Sequence, residues 1–181
     1  MKLLLVVGLV FGALANLASH SAFAQERGVT VAQKESGLRL SIVAPKRKFR
    51  RSEQLKLLVM LVNSGKKDVY VFGTMEWGYS ASLLFHIRDA SGREIKPLGF
   101  PDDLTRAVQD DKSAFVKLLP DHFLGTDFFA PLDVLNLNKP GKYSIFMEYH
   151  SPFSTTEVPL SPFWGKENGT IKSNVVWIEV L

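Results

Sequence analysis

Hydrophobic and polar positions alternate along most of this chain with a period of two, the period of a half-buried strand. "LRLSIVA" (38–44) alternates and is followed by Pro45. "EQLKLLVMLVN" (53–63) is the strongest segment: Leu55, Leu57, Val59 and Leu61 point one way, and Lys56, Leu58, Met60 and Val62 the other. Apolar residues on both faces predict a central strand covered at least in part on both sides. "DVYVFG" (68–73) follows, and "SLLFHIRDASGREIKPL" (82–98) predicts a hairpin turning at Asp89–Gly92. "AFVKLLP" (114–120), "HFLGTDFFAPLDVLNL" (122–137), "KYSIFMEY" (142–149) and "IKSNVVWIEVL" (171–181) keep strand character. Only residues 99–113, "GFPDDLTRAVQDDKS", break the pattern. There Asp102 or Asp103 can cap one short helix carrying Leu104, Ala107 and Val108. Seven to nine short strands between Gly, Pro and Asn turns predict an all-β antiparallel sandwich rather than βαβ units.

The stretch "NLNKPGKYSIFMEY" (136–149) sharpens that expectation. Pro140 presets φ for a turn, Gly141 accepts the positive φ that follows, and Tyr143 opens the next strand. With Leu137 six residues earlier, Leu-x-x-Pro-Gly-x-Tyr resembles the tyrosine corner of immunoglobulin-type sandwiches. "KPGKYSIFMEY", a long loop and "SNVVWIEV" together resemble the last two strands of exported immunoglobulin-like or fibronectin type III-like domains. In pattern the resemblance covers residues 38–181, and in motif only 137–149 and 173–180. It implies an immunoglobulin-like fold and leaves function open, because such sandwiches host many roles. The chain departs from antibody domains in lacking the inter-sheet disulfide, since it has no cysteine.

A corner tyrosine turned inward sets the facing of its strand. Ile145, Met147 and Tyr149 then point in, leaving Ser144, Phe146, Glu148 and His150 out. In the last strand Val176, Ile178 and Val180 face in, with Val175, Trp177 and Glu179 out. In "DVYVFG", inward Val69 and Val71 put Tyr70 and Phe72 outside. If these three strands share a sheet, its outer face carries Tyr70, Phe72, Phe146 and Trp177 together, an interaction surface. Alternatively, residues 99–113 or the long loop cover those aromatics and form a second small core. That loop, residues 151–172, holds Phe153, Phe163, Trp164 and three prolines. Its length marks it as either a recognition tip or a flap packed on the body.

The N-terminus adds a compartment. Lys2, the apolar run to Ala18 and Ala22-Phe23-Ala24 form the three parts of a bacterial secretory signal peptide, with cleavage expected after Ala24. Residues 25–37 then form an arm and 38–181 a single domain, periplasmic or secreted. Without Lys2 the chain has 21 basic against 18 acidic residues, and five of the basic ones lie in "KRKFRR". Lys46, Arg47, Lys48, Arg50 and Arg51 thus form a local patch suited to weak contact with an anionic membrane surface, or a plain solvated loop. Export argues against nucleic acid as the partner.

Chemistry-bearing motifs are absent. There is no nucleophile elbow, phosphate loop, zinc-binding helix or thiol, and His86, His122 and His150 have no ligand spacing. No enzyme, metal site or cofactor is expected. The expected function is a non-catalytic module recruiting another exported or envelope protein through Tyr70, Phe72, Phe146, Trp177, Phe163 and Trp164. The alternative is a carbohydrate or small-ligand binder that stacks its ligand on Trp77, Tyr79 and Trp164.

Overall fold

The computed structural model describes residues 37–78, 81–98 and 111–181. The signal peptide, nearly all of the N-terminal arm, Tyr79 and the helix expected from Asp102 or Asp103 lie outside them. Along the chain come β1 (Leu38–Val43), β2 (Lys48–Phe49), β3 (Gln54–Asn63), β4 (Val69–Phe72), β5 (Leu83–Asp89) and β6 (Glu94–Ile95). Then follow β7 (Phe115–Leu118), β8 (Phe123–Pro131), β9 (Gly141–Tyr149), β10 (Ile171–Lys172) and β11 (Val176–Val180).

Two sheets form the sandwich. One has the order β1-β3-β8; the other runs β2-β11-β9-β5-β6, with β10 also paired to β9. All pairings in them are antiparallel except that of β2 with β11. The fold is an all-β, immunoglobulin-like sandwich.

Burial follows the alternation. On β3, Leu55, Leu57, Val59 and Leu61 are fully enclosed, whereas Lys56, Leu58, Met60 and Val62 are half-buried. From the other sheet Tyr143, Ile145, Met147, Tyr149, Val176, Ile178 and Val180 join them in one cluster. Each such aliphatic contributes about 1.5–3 kcal/mol when fully buried, which a cysteine-free chain must rely on. The corner forms as its sequence implies: Gly141 has φ 157°, and the Tyr143 hydroxyl donates to the Lys139 carbonyl at 2.8 Å.

One strand departs from expectation. β4 is not part of the β9–β11 sheet; it pairs with β7 in a separate two-stranded sheet. The reason is that both of its faces are buried. Val71 joins the main core, while Phe72 packs with Phe115, Phe153, Val158 and Phe163 in a second cluster. The rings of Phe72 and Phe153 meet edge-on at 5.2 Å. Three of these five residues come from the 151–172 segment, so that loop is a flap packed on the body. Asn63 ties the small sheet to β3, its amide donating to the carbonyls of Lys67 and Leu118 at 2.8 and 2.9 Å.

Tyr149 links the two clusters. Its ring lies in the main core, and its hydroxyl donates to the Phe72 carbonyl at 3.0 Å. Burial pushes the phenol far above its usual range, so it stays a neutral donor. Tyr149→Phe is expected to cost about 1–3 kcal/mol, because the Phe72 carbonyl loses its partner inside the protein. Tyr143→Phe should cost less, about 1 kcal/mol, since Lys139 is exposed. Urea denaturation of both variants checks the order; a Tyr143→Phe loss larger than that of Tyr149→Phe would contradict this account.

Candidate functional site

The outer face of β11, β9 and β5 carries what remains of the expected aromatic surface. Cross-strand register sets Trp177 and Arg88 on either side of Ser144, and His86 opposite Phe146. Phe146 points outward yet is only 4 % exposed. Among the described residues it is covered by side chains, one of them Lys172 from the end of the 151–172 loop. His86 stacks on it at 4.6 Å with a 9° interplanar angle, the Lys172 ammonium sits 3.9 Å from its ring centre, and the Arg88 guanidinium 5.3 Å. Cations are held there by the ring quadrupole. Glu94 and Glu148 bracket the imidazole, with Oε1 of Glu94 3.5 Å from Nδ1 and Oε2 of Glu148 3.8 Å from Nε2. Trp177 is not covered in this way and remains 52 % exposed.

The other expected site residues lie elsewhere. Phe72 is fully buried, and Phe163 and Trp164 are enclosed, so none of the three offers an outer face. Tyr70 is half-buried beneath the flap: its N–H donates to the Pro162 carbonyl, and its carbonyl accepts from the Trp164 N–H. The physical reason is the apolar content of 151–172, whose rings bury more favourably against β4 and β7 than in water.

The stacking platforms expected for a carbohydrate are also displaced. Trp164 belongs to the main core, and its buried Nε1 has no hydrogen-bond partner among the described residues. Trp77 is half-buried, its ring 5.5 Å from Phe85 and 6.1 Å from Phe128. Tyr79 is outside the described residues. A shallow groove of about 450 Å³ between the β5–β6 turn and the tyrosine corner is lined by Arg93, Asn138, Lys139 and Lys142, among others. Its Asp89 carboxylate is occupied internally by Ser91 and Arg93, whose hydrogen bonds hold it below the usual carboxylate range.

"KRKFRR" is a sheet edge. Phe49 is buried, and β2 pairs in parallel with the end of β11. Lys46 pairs with Glu53, and Lys48 with Glu179 at 3.2 Å. Arg47, Arg50 and Arg51 stand exposed with no ion pair among the described residues.

Sequence reasoning missed a second surface, the outer face of β1, β3 and β8. Val43, Phe123 and Phe129 are 43 %, 64 % and 54 % exposed there, around half-buried Leu58, Met60 and Val62. The signal was present in the two-sided apolar pattern of "EQLKLLVMLVN" and in the phenylalanines of "HFLGTDFFAP". β3 is central and its outer residues are partly covered, as that pattern predicts; what the pattern does not show is the exposure of Val43, Phe123 and Phe129 beside them.

No family model matches the chain, and no curated protein does either. Among solved structures, it resembles the CARDB domain of the PF1109 protein from Pyrococcus furiosus, crystallised in complex with di-metal ions. The identity is 14 % and the TM-score 0.38, over 79 % of this chain and 91 % of that one. A mutant β-glucosidase from Listeria innocua in complex with laminaribiose gives 14 % identity and a TM-score of 0.42, over 81 % of this chain and 16 % of the enzyme. AvmM, which catalyses macrocyclization in alchivemycin A biosynthesis, gives 10 % and 0.38, over 80 % and 89 %.

The contrast between the two outward aromatics is measurable. Phe146→Ala removes the ring that His86, Arg88 and Lys172 cover, and is expected to destabilise by about 3 kcal/mol. Trp177→Ala should cost about 1 kcal/mol or less, as for other half-exposed positions. Chemical denaturation checks both; a large loss at Trp177 would make it a structural residue.

Proposed function

We propose that the chain is an exported, non-catalytic binding module. It recruits another exported or envelope protein through the outer face of β11, β9 and β5. Trp177 is the anchor, and the cation-covered Phe146 is its rigid support. The observation that carries this reading is the 52 % exposure of a tryptophan within a paired strand, two strands from exposed Arg88. Tryptophan and arginine are the side chains in which interface energy concentrates, because they offer large contact area and directed donors. Around them Glu179, Glu148 and Lys142 make a polar rim able to fix orientation. The aromatic residues of the 151–172 flap support the domain body, and only its last residue, Lys172, reaches this face.

Export rests on the N-terminal sequence, and the mature protein is expected to begin at Gln25. N-terminal sequencing of the protein from its own cells tests this directly, and an uncleaved chain would refute the cleavage site. For recruitment, the mature protein carrying a photo-crosslinker at Val175, exposed on the same face, is irradiated in envelope preparations. A specific adduct is expected with the native sequence, lost on Trp177→Ala or Arg88→Ala while each variant keeps a cooperative thermal transition within a few degrees of the native one. An adduct that survives both substitutions would overturn the assignment of this face.

A further inference from the structure

Among the described residues, the end strands β1, β2 and β6 of the two main sheets are each short or capped, and the remaining end strand, β8, is neither. On β1, the Asn174 side chain acts as a peptide mimic: its carbonyl accepts from the Ile42 N–H at 2.9 Å and its amide donates to the Ile42 carbonyl at 2.9 Å. β2 is two residues long and lies within the basic run. β6 is equally short, and the chain just after it is held by bonds from Leu98 N–H to the Val134 carbonyl and from the Asn136 amide to the Lys96 carbonyl. Short, charged or covered edges are the usual protections against strand addition.

β8 has little of this protection: its one charged residue, Asp127, is paired with Lys56. It is nine residues long, carries no lysine, and has its only proline at the last position. Among the described residues no strand pairs with its far side. Its inward-facing Leu124 and Thr126 are half-buried, where the inward residues of neighbouring β3 are fully enclosed. The open side therefore presents a row of backbone donors and acceptors between two exposed phenylalanines.

The residues of β8 select its occupant. "FLGTDFF" (123–129) is close to a palindrome about Thr126. We propose that β8 pairs antiparallel with β8 of a second copy, about a two-fold axis at Thr126. Phe123 then lies opposite Phe129 of the other copy, twice over, on the outer face. Leu124 faces Phe128 on the inner face, Gly125 faces Asp127, and Thr126 faces itself. The only charged residue of the strand meets glycine rather than its own copy, and each Asp127 is already neutralised by Lys56 at 2.9 Å. The Lys56 ammonium also sits 5.0 Å from the Phe129 ring centre, so the outer row continues across the axis as Lys56, Phe129, Phe123 and Val62. The product is a continuous six-stranded sheet, a closed isologous dimer with no new edge beyond β1. It lies on the opposite sheet from Trp177 and does not depend on the recruitment proposed there.

Sedimentation velocity of the mature full-length chain over a concentration series should show a reversible monomer–dimer equilibrium. Phe123→Lys, at a position already in solvent, should weaken dimerisation by about tenfold or more while leaving the thermal transition in place. The register is tested by cysteine substitution, which the cysteine-free chain makes clean. Thr126→Cys alone should form an intermolecular disulfide on mild oxidation. Phe123→Cys alone should not, because its two copies would stand about 20 Å apart, yet it should cross-link when mixed with Phe129→Cys. A chain that stays monomeric at every concentration overturns the proposal. So does a dimer indifferent to Phe123→Lys, a Phe123→Cys chain that cross-links by itself, or a β8 edge filled by a strand of another protein.

Discussion

Four alternate aliphatics of β3, Leu55, Leu57, Val59 and Leu61, buried in one cluster with Ile145, Met147 and Ile178 of the opposing sheet, hold this domain together. No covalent bridge shares the task, because the chain has no cysteine. Dispersion and the removal of apolar surface from water must offset the entropy of ordering both sheets. That requirement explains why β3 is central and long, and why β9 is buried on both sides for most of its length. The remaining features are devices that hold the two sheets in register or close their ends.

Those devices are polar and specific. Tyr143 fixes the turn into β9, Asn174 joins β1 to the segment leading into β11, and Asn63 fastens the β4–β7 pair to the end of β3. Each satisfies backbone groups that would otherwise be stranded at a sheet edge or corner, where an unmade hydrogen bond costs more than a made one contributes. Tyr149 does the same between the two apolar clusters, and so couples the flap to the main core.

Both outer faces bear aromatics, but their treatment differs. On the β11–β9–β5 face, His86, Arg88 and Lys172 cover Phe146 and leave Trp177 free, concentrating apolar exposure at one anchor. On the β1–β3–β8 face the exposure is spread along a strand whose far side has no partner strand among the described residues, with Phe123 at its start and Phe129 near its end. A single anchor amid polar groups suits a heterologous partner, whereas a near-palindromic strand suits a copy of itself. The two surfaces lie on opposite sides of the sandwich and can be occupied together.

The period-two alternation was enough to determine strand content, the sandwich class, the inward set of β9 and β11 and the tyrosine corner. Those depend on local spacing: side chains alternate on any strand, and Pro140-Gly141 sets its turn from its own φ preferences. Trp177 was legible as outward for the same reason. What local spacing could not supply was pairing. Whether β4 joins β9 or β7, and whether Phe72 therefore meets solvent or Phe153, turns on contacts between residues about eighty positions apart. The 151–172 loop was equally ambiguous, since its rings are as able to bind a partner as to cover β4. Only the tertiary structure decided that Phe163 and Trp164 are interior, that His86, Arg88 and Lys172 cover Phe146, and that β8 has no strand on its far side among the described residues. Exposure is a property of what packs opposite a residue, and alternation specifies only which way the residue points.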